Sequence, residues 1–525
     1  MSRGHQDPAT GAPPLGGAIA TPHHLSTSAG VRALRSGGNA LDAALAAAVS
    51  LTVTLPDNCA LGGDLIALMR RPDGEVLSIN SSGPAAVATS REELSRATPE
   101  MPRFGPDTVT VPGVLRGWEA LARNGAALAW HQHFDRAITQ AREGVPASPS
   151  IAEALEREAT RLRADPGMSR IFYPGGRAMR AGETFAQPQL AQTLRKLADK
   201  GSDHFYAGQL GAEWLKSMQA AGSKLTGDDL ARYQPELTEP LAMSFAGLEV
   251  LTSPPNSQGL LLLATLRSLE AREPLPDPLG AGAGAVARAC SGASDIRDRY
   301  LADPRFRPLD VEAILSGRDA AEAGHGAPLR RPRGDTVAVV AADSDGRAVS
   351  LIQSVFDSFG AGILDPRTGI VAHNRGSFFS LDPASPNVIE PGKRPAHTLA
   401  PALALCDGEL WAVLGTMGGL AQTQILTQVL LHLRSGLDAE QAVSRPRWTI
   451  GGIEAGGDEA AIEAERGVPA AVRDTLVQDG WHLEELPERT FAVGEAQAIT
   501  CGPSGRLAAA SDPRSEGSSF AGPCR

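Results

Sequence analysis

Cysteine is scarce in this 525-residue chain, and the few cysteines are far apart. Their number is odd, and no two of them have the CxxC spacing found in zinc sites. The sequence therefore supports neither a zinc centre nor a disulfide framework, and scattered reduced thiols of a cytoplasmic protein are the simpler interpretation. The five residues are Cys59, Cys290, Cys406, Cys501 and Cys524.

Long basic and long apolar segments are also missing. Acidic residues outnumber basic residues by 60 to 49, so the formal net charge is −11 and a nucleic-acid partner is not expected. The most apolar window, residues 43–55, is too short to cross a membrane. The polar first residues lack the apolar core of a signal peptide. We therefore expect a cytoplasmic protein with no membrane and no nucleic-acid partner.

Several well-known catalytic motifs are absent as well. The chain has no GxxxxGK[ST], HExxH or GxSxG sequence, and no GxGxxG between a strand and a helix. No group of His, Cys, Asp and Glu has the spacing of a metal site. We therefore expect no metal and no cofactor. The chemistry left to consider is a nucleophilic Ser, Thr or Cys with a base beside it.

Helical and strand-like patterns alternate along the chain. Apolar spacing predicts two helices within residues 26–55, mostly helical structure over 112–221, and an apolar helix at 259–271. Strands are predicted at 61–70, 75–79 and 248–253, and residues 272–286 are predicted to form a loop. Residues 324–335, rich in Gly, Pro and Arg, have the composition of a mobile linker.

The pattern changes at residue 335. The linker is followed by two strand-like runs, 336–342 and 348–355, and the Asp345-Gly346 pair between them is typical of a hairpin turn. The chain thus divides into residues 1–335 and residues 336–525.

Thr336 stands at this division. A threonine with a free α-amine carries its own base, because such an amine has a reference pKa of about 7.7–8.0. That amine is locked in a peptide bond until the chain cuts itself in front of the threonine. The first position of a strand after a flexible arm suits such a cut, although many ordinary strands also begin with Thr.

Two further segments carry candidate functional groups. Residues 414–419 form a Gly-rich connection between a strand at 410–414 and a helix at 421–431. Its backbone N–H groups could stabilise an oxyanion, or the segment could simply be a tight turn. Arg375 is a candidate anchor for a substrate carboxylate, because its guanidinium matches a carboxylate in shape. A surface salt bridge is the equally simple alternative for Arg375.

At this point the chain resembles the gamma-glutamyltransferase family of N-terminal nucleophile hydrolases. The similarity runs from about Gly17 to Gly522, and its motifs occur in the family's order. In the first part they are Gly37-Gly38-Asn39-Ala40-Leu41-Asp42-Ala43, Leu61-Gly62-Gly63-Asp64, Val111-Pro112-Gly113 and Pro254-Pro255-Asn256-Ser257-Gln258-Gly259. In the second part they are Asp335-Thr336, Phe359-Gly360-Ala361-Gly362-Ile363, Gly392-Lys393-Arg394-Pro395, Gly418-Gly419 and Ala510-Ser511-Asp512-Pro513-Arg514.

The resemblance implies an α+β fold, a four-layer αββα sandwich. It implies self-cleavage between Asp335 and Thr336, which gives a large subunit (1–335) and a small subunit (336–525) that stay together as a heterodimer. Thr336 then falls on the family's nucleophile, and Ser354 falls on a hydroxyl residue that assists it. Gly418 and Gly419 fall on the pair that forms the oxyanion hole.

The recognition residues depart from the family's pattern. Asn80 replaces the arginine that holds the glutamyl α-carboxylate, and the aspartate that holds the α-amino group aligns near Phe378. The paired serines near the oxyanion hole align with His397 and Thr398, and the family's second Thr is Val337. The sequence Asn374-Arg375-Gly376 resembles a divergent branch that includes oxamate amidohydrolase. The predicted substrate-binding residues are Asn80, Asn374, Arg375, His397 and Thr398.

Three functions remain open from the sequence. The first is a self-cleaving amidohydrolase in which Thr336 attacks an amide or gamma-glutamyl bond, and water or an amine resolves the acyl-enzyme. The second keeps this chemistry but acts on a small acid amide such as oxamate, or removes an acyl side chain, as other family members do. The third is an uncleaved, inactive relative that serves as a scaffold.

Overall fold

The computed structural model of the protein describes residues 16–316, 335–451 and 461–522. The predicted linker, apart from residue 335, lies outside these ranges. The strands are β1 (Gly17–Thr21), β2 (Asp64–Arg70), β3 (Val76–Ser81), β4 (Val145–Pro146), β5 (Thr184–Phe185), β6 (Glu236–Thr238), β7 (Leu241–Phe245), β8 (Leu248–Thr252), β9 (Asp335–Asp343), β10 (Ala348–Phe356), β11 (Ala402–Cys406), β12 (Glu409–Met417), β13 (Trp448–Ile450), β14 (Ala461–Glu465), β15 (His482–Leu486), β16 (Glu495–Cys501), β17 (Leu507–Ser511) and β18 (Ser518–Ala521).

The α-helices connect these strands and cover the sheets. They are α1 (His24–Arg35), α2 (Ala40–Thr54), α3 (Arg91–Ala97), α4 (Val114–Arg123), α5 (Asp135–Glu143), α6 (Pro149–Arg157), α7 (Ala159–Leu162), α8 (Pro166–Phe172), α9 (Pro188–Lys200), α10 (Asp203–Tyr206), α11 (Gln209–Ala220), α12 (Gly227–Arg232), α13 (Gly259–Glu270), α14 (Ala283–Tyr300), α15 (Val311–Leu315), α16 (Gln422–Arg434), α17 (Ala439–Ser444) and α18 (Ala470–Gln478).

Two large sheets form the centre of the molecule. The first has the strand order β18-β1-β9-β10-β2-β3-β6, and the second has the order β17-β16-β12-β11-β8-β7. All neighbouring strands in both sheets that have a described register are antiparallel. The first sheet combines strands from the two parts of the chain. Strands β9 and β10, which begin at residue 335, lie between β1 and β2 from the first part.

Helices cover the outer face of each sheet, which makes four layers in the order αββα. Helices α1 and α2 pack on the first sheet, and α13 and α16 pack on the second. Apolar side chains from both sheets, such as Val340 and Val413, form the core between them. The predicted α+β sandwich is therefore confirmed.

Strand β9 is apolar on both faces because it is buried on both. Successive side chains of a strand point to opposite faces. Val337 and Val339 belong to the core shared with the helices, whereas Ala338 packs with residues between the sheets. By this alternation Thr336 faces the second sheet, and Val337 faces the helices. The family's second Thr is Val337 here. Because this side chain points to the opposite face of the strand, the replacement changes nothing on the face where the Thr336 hydroxyl lies.

Most predicted elements agree with the structure to within a few residues, and two differ from it. The loop predicted at 272–286 is too long, because α14 begins at Ala283. The strand predicted at 410–414 continues through Met417, so the glycine turn begins only at Gly418. No helix among the described residues is both long enough and apolar enough to cross a membrane.

Candidate active site

Thr336 and Ser354 are neighbours on adjacent strands of the first sheet. The Thr336 hydroxyl donates a hydrogen bond to the Ser354 hydroxyl over 3.2 Å. Ser354 in turn donates to the carbonyl oxygen of Asp335 over 2.8 Å. One hydroxyl thus contacts both the predicted nucleophile and the carbonyl of the peptide bond that precedes it. Thr336 and Ser354 are both almost completely buried.

A β-bulge in β10 gives Ser354 its third hydrogen bond. The register shifts between Gln353 and Phe356, so that Phe356 lies opposite Asp335. Phe356 has a φ of 82°, in the left-handed region that side chains other than glycine rarely adopt. Its backbone N–H donates to the Ser354 hydroxyl over 2.8 Å. The strained residue therefore holds the Ser354 oxygen in place, as backbone strain often does at functional sites.

The glycine turn lies at the end of β12, which packs on β9 from across the sandwich. Gly418 has a φ of 143° and Gly419 a φ of 53°, and a Cβ on Gly418 would lie 2.5 Å from Ile425. A short 3-10 turn, Gly419–Ala421, then leads into α16. Backbone N–H groups at a helix start have no partner within the helix and can donate to an anion.

Gln258 connects this turn to the predicted recognition residues. Its side-chain amide donates to the carbonyl oxygens of Gly419, over 2.8 Å, and of Thr398, over 2.6 Å. Gln258 is fully buried. The position of the Gly419 backbone therefore depends on the segment that carries Thr398.

A buried charge cluster surrounds Asp64 on the other side of Ser354. Asp64 is paired with Ser354 across β2 and β10. One of its carboxylate oxygens is 3.2 Å from His373, 3.2 Å from His397 and 3.3 Å from Arg375. Burial would raise the pKa of Asp64, but the two histidines outweigh burial and hold this pKa well below its usual range.

His397 is neutral in this cluster. Burial, together with the nearby charge of Arg375, lowers the pKa of His397 to about 3. Its Nε2 lies against Asp64, and its Nδ1 accepts the backbone N–H of Leu399 over 3.3 Å. These contacts assign the proton to Nε2, so the ring donates to the carboxylate and is fixed in orientation.

Arg375 is enclosed, and the alternative of a surface salt bridge is wrong. Its side chain has no exposure, and the guanidinium stacks on the Phe356 ring at 4.0 Å. Nη1 donates to the Thr398 hydroxyl over 3.1 Å. Nη2 is buried and has no hydrogen-bond partner among the described residues. Burial lowers the pKa of Arg375 to about 10, so the group is still charged at neutral pH.

Asn374 and Asn80 lie at the two edges of this cluster. The Asn374 amide donates to Asp357 over 2.7 Å and to the carbonyl of Arg103 over 2.8 Å. The Asn80 amide donates to Asn256 over 2.8 Å, and the carbonyl of Asn256 accepts the backbone N–H of His397 over 2.7 Å. All five predicted recognition residues are therefore within a few contacts of Asp64.

Four residues of this site were not singled out from the sequence as functional groups. They are Asp64, Asn256, Gln258 and His373, and all four are completely buried. The first three belong to motifs that carry the family resemblance, and His373 directly precedes Asn374. The sequence does contain a signal for these residues. Each is a polar residue next to an apolar strand or helix, and a polar residue in such a place is expected to be buried and hydrogen-bonded. The described residues contain no cluster of His, Cys, Asp or Glu arranged to hold a metal ion.

Comparison with known proteins shows which family the chain belongs to. The family model described as Gamma-glutamyltranspeptidase matches residues 26–522. The oxamate amidohydrolase proenzyme of Klebsiella pneumoniae is 35% identical over 95% of this chain and 97% of its own length. The glutathione hydrolase-like YwrD proenzyme of Bacillus subtilis is 33% identical over 95% of this chain and 97% of its own.

A solved structure gives the same result for the fold. The crystal structure of cephalosporin acylase from Bacillus halodurans superposes with a TM-score of 0.88 at 32% identity, and the match covers all of both chains. Matches of this extent in sequence and structure establish the relationship. The chain belongs to the gamma-glutamyltranspeptidase family.

Proposed function

We propose that the protein cuts itself between Asp335 and Thr336 and then uses Thr336 to hydrolyse a small amide that carries a carboxylate. The observation that carries this proposal is the Ser354 hydroxyl, which contacts both the Thr336 hydroxyl and the Asp335 carbonyl oxygen. A scaffold protein would not need a hydroxyl nucleophile and a hydrogen-bond donor to the carbonyl oxygen at the same peptide bond. This contact therefore disfavours the alternative of an uncleaved, inactive scaffold.

The hydrogen bonds define a route for self-cleavage. The Thr336 oxygen attacks the carbonyl carbon of Asp335 while its proton passes to Ser354, and Ser354 passes its own proton to the carbonyl oxygen. The tetrahedral intermediate then breaks its C–N bond as its hydroxyl becomes a carbonyl again, and the proton of that hydroxyl passes to the nitrogen. The product is an ester between Asp335 and the Thr336 side chain. Water hydrolyses this ester, which leaves a new carboxylate on Asp335 and a free amine on Thr336.

The free amine then serves as the base of the mature enzyme. It takes the proton of the Thr336 hydroxyl during attack on the substrate and later gives a proton to the leaving amine. The N–H groups of Gly418 and Gly419 are proposed to stabilise the oxyanion. Water completes hydrolysis of the acyl-enzyme, and an amine acceptor would instead make the enzyme a transferase.

The sheet order supports a heterodimer of residues 1–335 and 336–525 after cleavage. Strands β9 and β10 of the small piece pair with β1 and β2 of the large piece. Strand β11 of the small piece likewise pairs with β8 of the large piece in the second sheet. Separating the pieces would break both sheets and expose the core between them, so we propose that they stay together.

The proposed substrate is small and acidic because the recognition residues surround a buried charge cluster. Arg375 supplies a positive charge there, and Asn80, Asn374, His397 and Thr398 supply fixed dipoles around it. The oxamate amidohydrolase relative favours an acid amide of this kind. A gamma-glutamyl amide is the second candidate, and the family match favours it.

Two turnover assays test this proposal. Ammonia release from oxamate and nitroaniline release from gamma-glutamyl-4-nitroanilide are measured with the wild type and with Thr336→Ala. We expect turnover of oxamate in preference to the anilide, and none by the variant. Preference for the anilide would move the substrate to the gamma-glutamyl class. Equal turnover by the variant would remove Thr336 from the mechanism.

A further inference from the structure

A second arginine, Arg103, lies beside the recognition cluster and differs from Arg375 in its access to solvent. Its Nε and Nη2 donate to the carboxylate of Asp357 over 3.2 and 3.0 Å. The Arg103 side chain is 32% exposed, whereas Asp357 is buried. Nη1 has no hydrogen bond to any of the described residues. Arg103 therefore keeps one donor edge for a ligand, while Asp357 fixes the guanidinium plane.

The surrounding contacts fix Arg103 in position. Its carbonyl oxygen accepts the side-chain amide of Asn374 over 2.8 Å. The neighbouring Phe104 ring lies under the guanidinium of Arg103 at 5.0 Å and under that of Arg161 at 3.9 Å. Gly105, two residues further on, donates its N–H to Ala361 over 3.1 Å. A side chain held in this way loses little freedom when a ligand binds.

The bulge of β10 connects Arg103 to the scissile bond. Phe356 lies opposite Asp335, and the next residue, Asp357, is the one that holds Arg103. The charge of Asp335 also reaches Arg103. Burial works against it, but Asp357, then Glu158 and, most weakly, Asp335 raise the pKa of Arg103. In the uncut chain, Arg103 is thus connected through Asp357 and its neighbour Phe356 to Asp335, the residue on the acyl side of the bond to be cut.

The position of Arg103 is important because Thr336 attacks two different carbonyl groups from the same site. During self-cleavage Thr336 attacks the carbonyl of Asp335, and in turnover it attacks the carbonyl of a substrate. The acyl part of the substrate must then occupy the space that Asp335 occupied. Asp335 carries a carboxylate, and a group that attracts this carboxylate would also attract one on the substrate.

We propose that Arg103 is the residue that directly binds a carboxylate on the acyl part of the substrate, through its Nη1. This inference rests on the proposed function and adds the residue that sets its specificity. Arg375 also has one nitrogen without a partner among the described residues, Nη2, but its side chain has no exposure and is paired with Asp64, so it is less suited to direct contact. In this proposal Arg375 contributes positive charge to the buried cluster, and Arg103 contacts the substrate carboxylate.

The experiment compares two 4-nitroanilides. Succinyl-4-nitroanilide places a carboxylate at the same separation from the reacting carbonyl as the side chain of Asp335, and butyryl-4-nitroanilide is its neutral counterpart. The kcat/KM ratio of the two substrates is measured for the wild type, Arg103→Gln and Arg103→Lys. The matched control is Arg177→Gln, because Arg177 is exposed and pairs only with Glu183 among the described residues.

We expect Arg103→Gln to lower the succinyl-to-butyryl ratio by about 10- to 100-fold, the usual effect of losing a hydrogen bond to a charged group. The loss should fall mainly on KM, since binding rather than bond breaking is affected. Arg103→Lys should retain part of the preference, and Arg177→Gln should retain all of it. Succinate binding to the cleaved enzyme, measured by calorimetry, should weaken by a similar factor in Arg103→Gln.

The outcomes separate this inference from the proposed function. A wild type that remains one piece on a denaturing gel contradicts the proposed function itself. A wild type that forms both pieces but shows the same ratio and the same succinate affinity as Arg103→Gln overturns the role of Arg103 alone. A larger loss of ratio in Arg375→Gln than in Arg103→Gln would also overturn it, in favour of Arg375 as the direct contact.

Discussion

The two sides of Ser354 differ in how they use charge. On the β9 side, Thr336 bonds to a hydroxyl that is itself held by backbone groups. On the β2 side, Asp64 gathers two histidines and Arg375 in an enclosed cluster. We therefore expect bond breaking to depend on backbone geometry and recognition to depend on side-chain charge. Substitutions on the two sides should therefore change different measured quantities.

The largest effect is expected from Asp64→Asn. This change leaves Arg375 as a buried charge without its anionic partner, which costs about 3–5 kcal/mol of unfolding free energy. Denaturant unfolding monitored by tryptophan fluorescence measures this loss. The double variant Asp64→Asn/Arg375→Gln should recover part of it, because the uncompensated charge is removed as well. Stability unchanged in the single variant would mean that the cluster is not held by charge.

The next effect is expected from Ser354→Ala, which acts on the other side. Losing the donor to the Asp335 carbonyl should slow self-cleavage by about 10²- to 10³-fold, the range found when one oxyanion donor is removed. The conversion of precursor into two pieces is followed on gels after synthesis. Ser350→Ala is the control, since Ser350 is buried in the same strand and donates to Leu414 over 2.6 Å. If both variants cleave at the same rate, Ser354 has no special part in the reaction.

The smallest effect concerns Asp57, a buried carboxyl group whose pKa responds to the charge of Asp335. Asp57 is buried, and one of its carboxylate oxygens has no hydrogen-bond partner among the described residues. Burial, and then the charge of Asp335, raise the pKa of Asp57 to about 8. The folded protein therefore holds a proton that the unfolded chain releases above about pH 4. The stability that Asp57 contributes is present below about pH 4 and is lost as the pH rises toward 8.

Asp57→Asn should consequently raise the melting temperature by a few degrees at about pH 8.5 and by less at about pH 5. Thermal unfolding at the two pH values gives the comparison. Asp228→Asn is the control, because Asp228 is exposed in α12 and pairs with Arg232. A gain that is equal at both pH values would show that Asp57 does not titrate in this range.

The sequence alone predicted the hairpin that carries Thr336 and Ser354. Thr336 and Ser354 were placed in adjacent strands because an apolar β-branched run, a turn pair and a second run specify a hairpin. Their contact then follows from strand register. The bulge at Phe356 was not predicted, because it depends on contacts with residues far away in the sequence. The alternation of β9 places the Val337 side chain in the core shared with the helices, on the face opposite Thr336.

The proposed recognition residues follow from the sequence, but the buried ion pair that organises them does not. Asn80, Arg375 and His397 were chosen by their alignment with the family's pattern, and the structure places them within one network. The partner that organises them, Asp64, is separated from Arg375 by more than 300 positions in the chain. A local sequence pattern does not indicate a pairing over this distance in the chain. The sequence therefore could not show whether the ion pair of Arg375 is buried or on the surface. Whether these residues bind substrate stays a prediction.

The most direct test of the central claim is the intact mass of the purified protein, compared between the wild type and Thr336→Ala. We predict two pieces from the wild type, the smaller beginning at Thr336, and a single chain of 54.6 kDa from the variant. A single uncut chain from both proteins, or cleavage at another bond, would contradict the assignment of Thr336 as an N-terminal nucleophile.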